Sequence, residues 1–146
     1  MRSLGAARPD LKREKLERTR EFMDLHVRDC LVTNYEDLIP ALKLPDKKDR
    51  HVFAAAIRAG ADVIVTYNLK DFPASELSPY DIEAQHPDAF VMHLLDLAPG
   101  AVCACVKTVR ARLKNPPVTA EQYLTTLESR ELIQTVRVLE TYGELL

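Results

Sequence analysis

The stretch from Leu44 to Phe72, LPDKKDRHVFAAAIRAGADVIVTYNLKDF, constrains the fold more than any other part of the chain. Its Ala-rich segment contains no helix breaker and predicts a helix over residues 50–59, with Gly60 as a left-handed C-terminal cap. The apolar run at 63–65 shows no polar alternation, which is typical of a parallel strand buried on both faces. The stretch therefore predicts half of a βαβ unit.

Two acids and an amide flank this predicted helix and strand. A crossover helix runs antiparallel to the strands that it connects, so the start of the helix and the end of the next strand share one sheet edge. We therefore expect Asp49, before the helix, to lie near Asn68 and Asp71, after the strand. Ligands of open α/β sheets bind at this edge, and oxygen donors suit Mg²⁺ or Mn²⁺. Two carboxylates and an amide do not complete a metal site.

The same residues also have an ordinary structural interpretation. Asp is a favoured helix N-cap, so Asp49 could cap the predicted helix and Asp71 the short turn that follows Pro73. Asn68 is a common turn residue. On spacing alone, capping is the more frequent role for such acids.

The run DKKDRHVFAAAIRAGADVIVTYNLKDFP resembles the C-terminal half of a PIN domain, the metal-dependent ribonuclease fold of VapC-type toxins in bacterial toxin-antitoxin pairs. A weaker similarity extends through ERTREFM, LVTNYEDLIPAL and IEAQHPDAF. The resemblance implies that Asp49 is the acid opening the central helix and that Asn68 and Asp71 belong to the T-x-N-x-x-D-F segment. Asp46 matches an acid common in this subgroup.

The resemblance further implies a function and its participants. Asp49 and Asp71 would bind Mg²⁺ or Mn²⁺, and Asn68 would orient a ligand or a water. The substrate would be RNA, cleaved as by an endoribonuclease, and an antitoxin protein would be a partner. A nucleotide-binding module is disfavoured because no Gly-rich phosphate loop follows any predicted strand.

The N-terminal sequence departs from the PIN pattern. PIN domains open with a hydrophobic strand that ends in an Asp, followed by helices carrying a Glu. This chain begins MRSLGAARPDLKREKLERTREFMDL, so we expect that the first strand and both acids are missing through truncation or a mis-start, or are supplied by a partner. The chain alone would then be weak or inactive as a nuclease. The alternative is a non-catalytic PIN remnant that binds an antitoxin or a second chain.

Composition limits the class of protein. With 146 residues, 47% of them hydrophobic, the chain can form a real core. A net charge of -2 provides no general attraction for RNA, so any contact needs a local patch or a metal.

Three cysteines at 30, 103 and 105 fit neither a disulfide framework nor a zinc pattern. With no membrane span or signal peptide predicted, we expect a cytoplasmic protein without a membrane partner.

The remaining sequence predicts mostly helices. Before the central stretch we expect a helix from Pro9 to about residue 26, a strand at 30–33, and a turn at 35–39 that Asn34 caps and Pro40 ends. Basic side chains on the first helix are a weaker candidate RNA surface because acids are interleaved: Arg13, Lys15, Arg18 and Arg20. After the stretch we expect a strand at 82–84 and a helix from His86 to about Leu95. His86 and His93 have no partner at metal-ligand spacing.

The C-terminal third predicts three more helices. Val102, Val106, Val109 and Leu113 form one amphipathic stripe. Thr119 and Gln122 fit a capping box that begins a helix ending near Leu127. The last helix, about 130–142, carries a stripe of Leu132, Val136 and Leu139.

The whole chain predicts an α/β fold: a PIN-like, mostly parallel sheet flanked by helices, N-terminally truncated, with a helical C-terminal extension. The expected domains are a partial PIN-like domain at 1–98 and the extension at 99–146. A missing first strand would leave a sheet edge unpaired, and the amphipathic tail helices would offer further apolar surface. We therefore expect a homo-oligomer.

Overall fold

The computed structural model describes residues 13–27 and 30–143. It is rich in helix and contains a small parallel sheet, which confirms the α/β prediction. The α-helices and strands are α1 (Arg13–His26), α2 (Arg50–Ala59), β1 (Val63–Val65), α3 (Ala74–Leu77), β2 (Glu83–Gln85), α4 (Pro87–Leu97), α5 (Pro99–Arg112), α6 (Ala120–Glu128) and α7 (Ile133–Glu140). Short 3₁₀ helices span Glu36–Ala41, Lys47–Asp49, Leu69–Asp71 and Ser78–Tyr80.

The central stretch folds as the sequence predicts. Helix α2 occupies the expected residues, and Gly60 ends it in the left-handed conformation with φ 62°. Strand β1 pairs in parallel with β2, so that Ile64 lies opposite Ala84. The first hydrophobic core joins this unit to the preceding and following turns, and its buried members are Leu42, Leu44, Phe53, Ala54, Ala56, Ile64, Phe72, Leu77 and Ile82.

One prediction for β1 is wrong, because the strand is not buried on both faces. Ile64 is 6% exposed and points into the core, whereas Val65 is 43% exposed. Successive side chains of a strand point to opposite faces, and only the face of Ile64 is covered in the described part of the chain. The absence of polar alternation in this run therefore predicted more burial than the strand has.

The segment before the central stretch also differs from the prediction. Residues 30–33 form no strand, since no other strand in the described ranges lies beside them to supply a ladder. Asn34 adopts a left-handed conformation with φ 59° and does not cap the next turn. That turn is the 3₁₀ helix that begins after Tyr35, and Pro40 lies inside it and does not end it.

The C-terminal helices form a second core of their own. Its buried members are Leu95, Cys103 and Leu139, with Val102, Val106 and Leu124 packed against them. The predicted stripe on α5 is correct only for its first half, because Val109 and Leu113 are 46% and 43% exposed. The stripe on α7 is confirmed, with Val136 and Leu139 buried and Leu132 half-buried. All three cysteines are in the thiol form.

The two cores divide the chain between Ala84 and Val91. Helix α4 packs with α5 and α7 of the second core, whereas the predicted domain boundary at residue 98 would separate α4 from them. That boundary stays a prediction.

Helix α1 contributes no buried residue to either core. Its side chains Phe22, Met23 and Leu25 are 48%, 52% and 77% exposed. Its basic residues are partly matched by acids on the same helix, as in the 2.9 Å pair of Arg13 with Glu17. The predicted start of this helix at Pro9 lies outside the described residues. No helix in the described ranges is long and apolar enough to cross a bilayer.

Candidate functional site

The turn after β1 brings two of the three predicted site residues together. The side-chain amide of Asn68 donates a hydrogen bond to a carboxylate oxygen of Asp71. The backbone N–H of Asn68 donates to the hydroxyl oxygen of Thr66 at 3.1 Å, which holds the start of the turn. Asp71 ends the 3₁₀ helix Leu69–Asp71 and is half-buried. The amide therefore fixes the direction in which this carboxylate points.

Asp49 occupies the N-cap position of α2 without acting as a cap. Its backbone is helical, at φ -89° and ψ -6°, and its side chain accepts no capping hydrogen bond. Asp46 is the capping residue of this region, since its carboxylate accepts from the N–H of Lys48 at 2.8 Å. Asp71 does not cap α3 either, because the N-cap residue of α3 is Pro73 and no side chain makes a capping hydrogen bond there. The capping interpretation is therefore wrong for both Asp49 and Asp71.

The topology relates Asp49 to the Asn68–Asp71 pair. The chain reverses between Gly60 and β1, and α2 packs against that strand. The first residue of α2 and the turn after β1 are therefore directed toward the same sheet edge. No hydrogen bond in the described part of the chain joins Asp49 to the pair, and a shared site for the three residues stays a prediction.

The donor set does not make a complete metal site. No three His, Cys, Asp or Glu side chains in the described residues are grouped closely enough to hold a metal ion. Asp49 and Asp71 supply two carboxylates, and Mg²⁺ gives up its waters reluctantly unless charged ligands replace them. The residues present fit only part of the coordination shell of such a cation.

A second cluster at the same edge was not predicted. Tyr67, directly before Asn68, donates its hydroxyl hydrogen bond to the carbonyl oxygen of Arg130 at 3.1 Å. Its ring meets the imidazole of His86 edge-to-face, with the ring centroids 5.2 Å apart. The Nε2 atom of His86 lies 3.5 Å from a carboxylate oxygen of Glu131. No sequence pattern indicates a contact between Tyr67 and Arg130, because they are far apart along the chain. The one available signal is that Tyr67 follows β1 and His86 follows β2, which places both at the same sheet edge.

Asp88 is a buried acid whose role the sequence also does not show. It is 6% exposed, and its two carboxylate oxygens accept from the N–H groups of Gln134 and Thr135 at 3.0 and 2.9 Å. Burial by itself raises the pKa of Asp88, but the hydrogen bonds from Thr135 and Gln134 and the nearby His86 outweigh it, so the pKa lies below its ordinary value. Asp88 thus caps α7 from another helix.

His86 has a structural role, and His93 is exposed. The ring Nδ1 of His86 accepts from the N–H of Asp88 at 3.2 Å, which makes His86 the N-cap of α4. This bond requires an unprotonated Nδ1. His93 is exposed on the same helix.

The turn Asn68–Asp71, called the acidic turn below, follows the first strand of a small parallel sheet, and comparison with known families relates this arrangement to one class of protein. Residues 4–70 match the PIN domain family, and residues 87–141 match the VapC50 C-terminal domain family. Both matches confirm the resemblance to VapC-type PIN domains that the central stretch carries.

A relative from Mycobacterium tuberculosis strain H37Rv, named "Putative ribonuclease VapC50", is 46% identical over 93 residues. The alignment covers 64% of this chain and 54% of the relative, so the chain spans about half the length of that protein. No solved structure matches the chain.

Proposed function

We propose that this protein is a VapC-type endoribonuclease that depends on Mg²⁺ or Mn²⁺, with Asp49 and Asp71 as metal ligands. The observation that carries the proposal is that neither carboxylate is used as a helix cap, although each stands beside the start of a helix. An acid that does not stabilise its own helix is available to a ligand. The match of residues 4–70 to the PIN domain family and the name of the M. tuberculosis relative support RNA as the substrate.

The residues of this chain have separate parts in the proposed site. A bound divalent cation would supply Lewis-acid chemistry toward a phosphodiester and its attacking water. Asn68 positions the Asp71 carboxylate through the hydrogen bond between their side chains, as outer-shell partners do for metal ligands. Because two carboxylates leave the donor set incomplete, the chain alone would bind the cation weakly and cleave RNA poorly or not at all.

The test is cleavage of a fluorescently labelled single-stranded RNA in Mn²⁺, with Asp49→Asn and Asp71→Asn as site variants. Asp81→Asn is the matched control, because Asp81 is an exposed acid that precedes β2 and so lies at the opposite sheet edge. Asn also tolerates the left-handed conformation of Asp81, with φ 58°. We expect only weak cleavage, lost in both site variants and kept in the control.

Two outcomes would contradict this expectation. Strong Mn²⁺-dependent cleavage by the chain alone would show that the donor set is sufficient. Cleavage that survives both Asp49→Asn and Asp71→Asn would place the site elsewhere.

A second candidate function is a non-catalytic PIN remnant that binds an antitoxin or a second copy of the chain. It is favoured by α1, which exposes Phe22, Met23 and Leu25 and has no buried residue. Absence of both Mn²⁺ binding and cleavage, together with self-association or capture of an antitoxin, would support it. A homo-oligomer and a cytoplasmic location belong to both candidates and stay proposals.

A further inference from the structure

Tyr67 combines an exposed ring with a fixed orientation. The side chain of Tyr67 is 56% exposed. Its hydroxyl nevertheless donates a hydrogen bond to the carbonyl of Arg130, and its ring packs against the His86 ring at an interplanar angle of 86°. An ordinary exposed tyrosine loses side-chain freedom when a ligand binds it. The Tyr67 ring is already restrained by these two contacts, so it loses less side-chain entropy when a ligand binds. More of the free energy of the contact therefore appears as affinity.

The position of Tyr67 relates it to the proposed nuclease site. It precedes Asn68 directly, and Asn68 contacts Asp71. Consecutive Cα atoms are about 3.8 Å apart, so a group resting on the Tyr67 ring would lie within about one nucleotide of the acidic turn. The ring is therefore placed beside the phosphate that the acids would act on.

The charges around the ring decide which part of RNA it can contact. Glu131 is 74% exposed and lies 3.5 Å from His86, which in turn contacts the Tyr67 ring. A carboxylate at this position repels a phosphate group but tolerates an uncharged base. Aromatic side chains stack on bases of every type because each base has a π-face. The surroundings thus favour a base over a phosphate.

We propose that Tyr67 is a stacking platform for one base of single-stranded RNA next to the acidic turn. The inference rests on the proposed ribonuclease function. Arg130 and Glu131 lie in the turn between α6 and α7, so the C-terminal helices shape a platform that projects from the PIN-like sheet. This gives the C-terminal region a part in RNA binding.

The chain contains no tryptophan, so a single introduced indole reports on one site. We would compare Tyr67→Trp with Tyr80→Trp as the matched control. Tyr80 is 46% exposed and meets Phe53 edge-to-face at 5.2 Å, much as Tyr67 meets His86, but it precedes β2 and lies at the other sheet edge. Each variant is titrated in EDTA, which prevents cleavage, with an oligouridylate of about ten nucleotides and with an abasic oligonucleotide of the same length.

We expect the oligouridylate to quench the indole fluorescence of the Tyr67→Trp variant and the abasic strand to leave it unchanged. Neither strand should affect the indole of the Tyr80→Trp control. RNA binding seen by fluorescence anisotropy without quenching in the Tyr67→Trp variant would overturn the platform while leaving the ribonuclease proposal intact. Equal quenching in the two variants would overturn it as non-specific contact. Absence of RNA binding to any variant in EDTA would overturn the platform, and the cleavage assay in Mn²⁺ then decides the ribonuclease proposal separately.

Substitutions of the native ring give an independent measurement. Tyr67→Phe keeps the ring but loses the hydroxyl bond to Arg130, so it should bind the oligouridylate less tightly than the unmodified chain and more tightly than a variant without a ring. Tyr67→Leu keeps apolar bulk without a π-face and should bind it roughly tenfold more weakly, the loss expected for one stacked base. Equal affinity of the Phe and Leu variants, with unchanged melting temperatures, would overturn the proposal.

Discussion

Asp88 shows how one residue joins two distant helices. Its carboxylate accepts from two N–H groups in the first turn of α7, and the hydroxyl of Thr135 donates back to the carbonyl oxygen of Asp88 at 3.4 Å. The first N–H groups of a helix have no partner within the helix, and the positive end of the helix dipole favours an anion. The buried Asp88 carboxylate supplies both the missing hydrogen-bond acceptors and the negative charge.

Removing this carboxylate should destabilise the fold. Asp88→Ala leaves the N–H groups of Gln134 and Thr135 unpaired and should lower the free energy of unfolding by about 2–3 kcal/mol. Urea denaturation measures the change. Asp96→Ala is the control, since Asp96 is exposed on the same helix and its loss should change stability by less than about 0.5 kcal/mol. Equal effects of the two substitutions would contradict the capping role.

The lowered pKa of Asp88 also predicts a pH dependence. A carboxyl whose pKa is depressed in the folded state contributes stability that is present above its unfolded pKa of about 3.9 and is lost as pH falls through the folded pKa. The unmodified chain should therefore lose more stability between about pH 6 and about pH 3 than Asp88→Asn. Urea unfolding curves at several pH values test this, and parallel losses in the two proteins would refute it.

At the scale of single elements, helix α6 begins with a complete capping box. The Thr119 hydroxyl accepts from the N–H of Gln122 at 3.2 Å, and the Gln122 side chain accepts from the N–H of Thr119 at 3.1 Å. Residues three apart supply both bonds, so the sequence pattern alone identifies this start. The preceding Asn115-Pro116-Pro117 follows the end of α5 at Arg112.

The capping box makes a matched pair of substitutions possible. Thr119→Ala removes the hydroxyl acceptor and should cost about 1 kcal/mol of stability, whereas Thr119→Ser keeps it and should cost little. For a chain of this size, the Ala variant should melt about 2–4 °C lower than the Ser variant. Identical melting temperatures by circular dichroism would show that this cap does not contribute.

At the scale of the whole molecule, two cores are joined through the end of the small sheet. The hydrogen bond from Tyr67 to Arg130 and the contact of His86 with Glu131 connect the PIN-like unit to the C-terminal helices. The tail stripe on α7 is buried inside the chain and is not free for a second copy, contrary to the prediction from sequence. Helix α1 exposes an apolar surface formed by Phe22, Met23 and Leu25.

We expect this surface to support self-association. Light scattering at micromolar concentration should give a species of about twice the chain mass, since exposed contiguous apolar side chains favour a symmetric contact. Leu25→Glu places a charge on the α1 surface and should return the protein to a monomer. The control is Leu97→Glu, because Leu97 is 83% exposed at the end of α4, away from α1 in sequence. A monomeric unmodified chain would refute the expectation.

The sequence by itself determined the elements whose stabilising contacts are local. Helix α2, its Gly60 cap and the Thr119–Gln122 box depend on residues within a few positions of one another, and all three are confirmed. The Asn68–Asp71 contact is also local, and it joins two of the three residues that the sequence expected to lie close together.

Only the tertiary structure decided the features whose partners are distant along the chain. Residues 30–33 have the composition of a strand but no neighbouring strand in the described ranges, and a ladder cannot form without one. Asp88 finds its partner 47 residues away and Tyr67 finds its partner 63 residues away. Asp49 was misread for a different, local reason. A cap requires a hydrogen bond whose geometry the residue type does not specify, and here the neighbouring Asp46 accepts one from the N–H of Lys48.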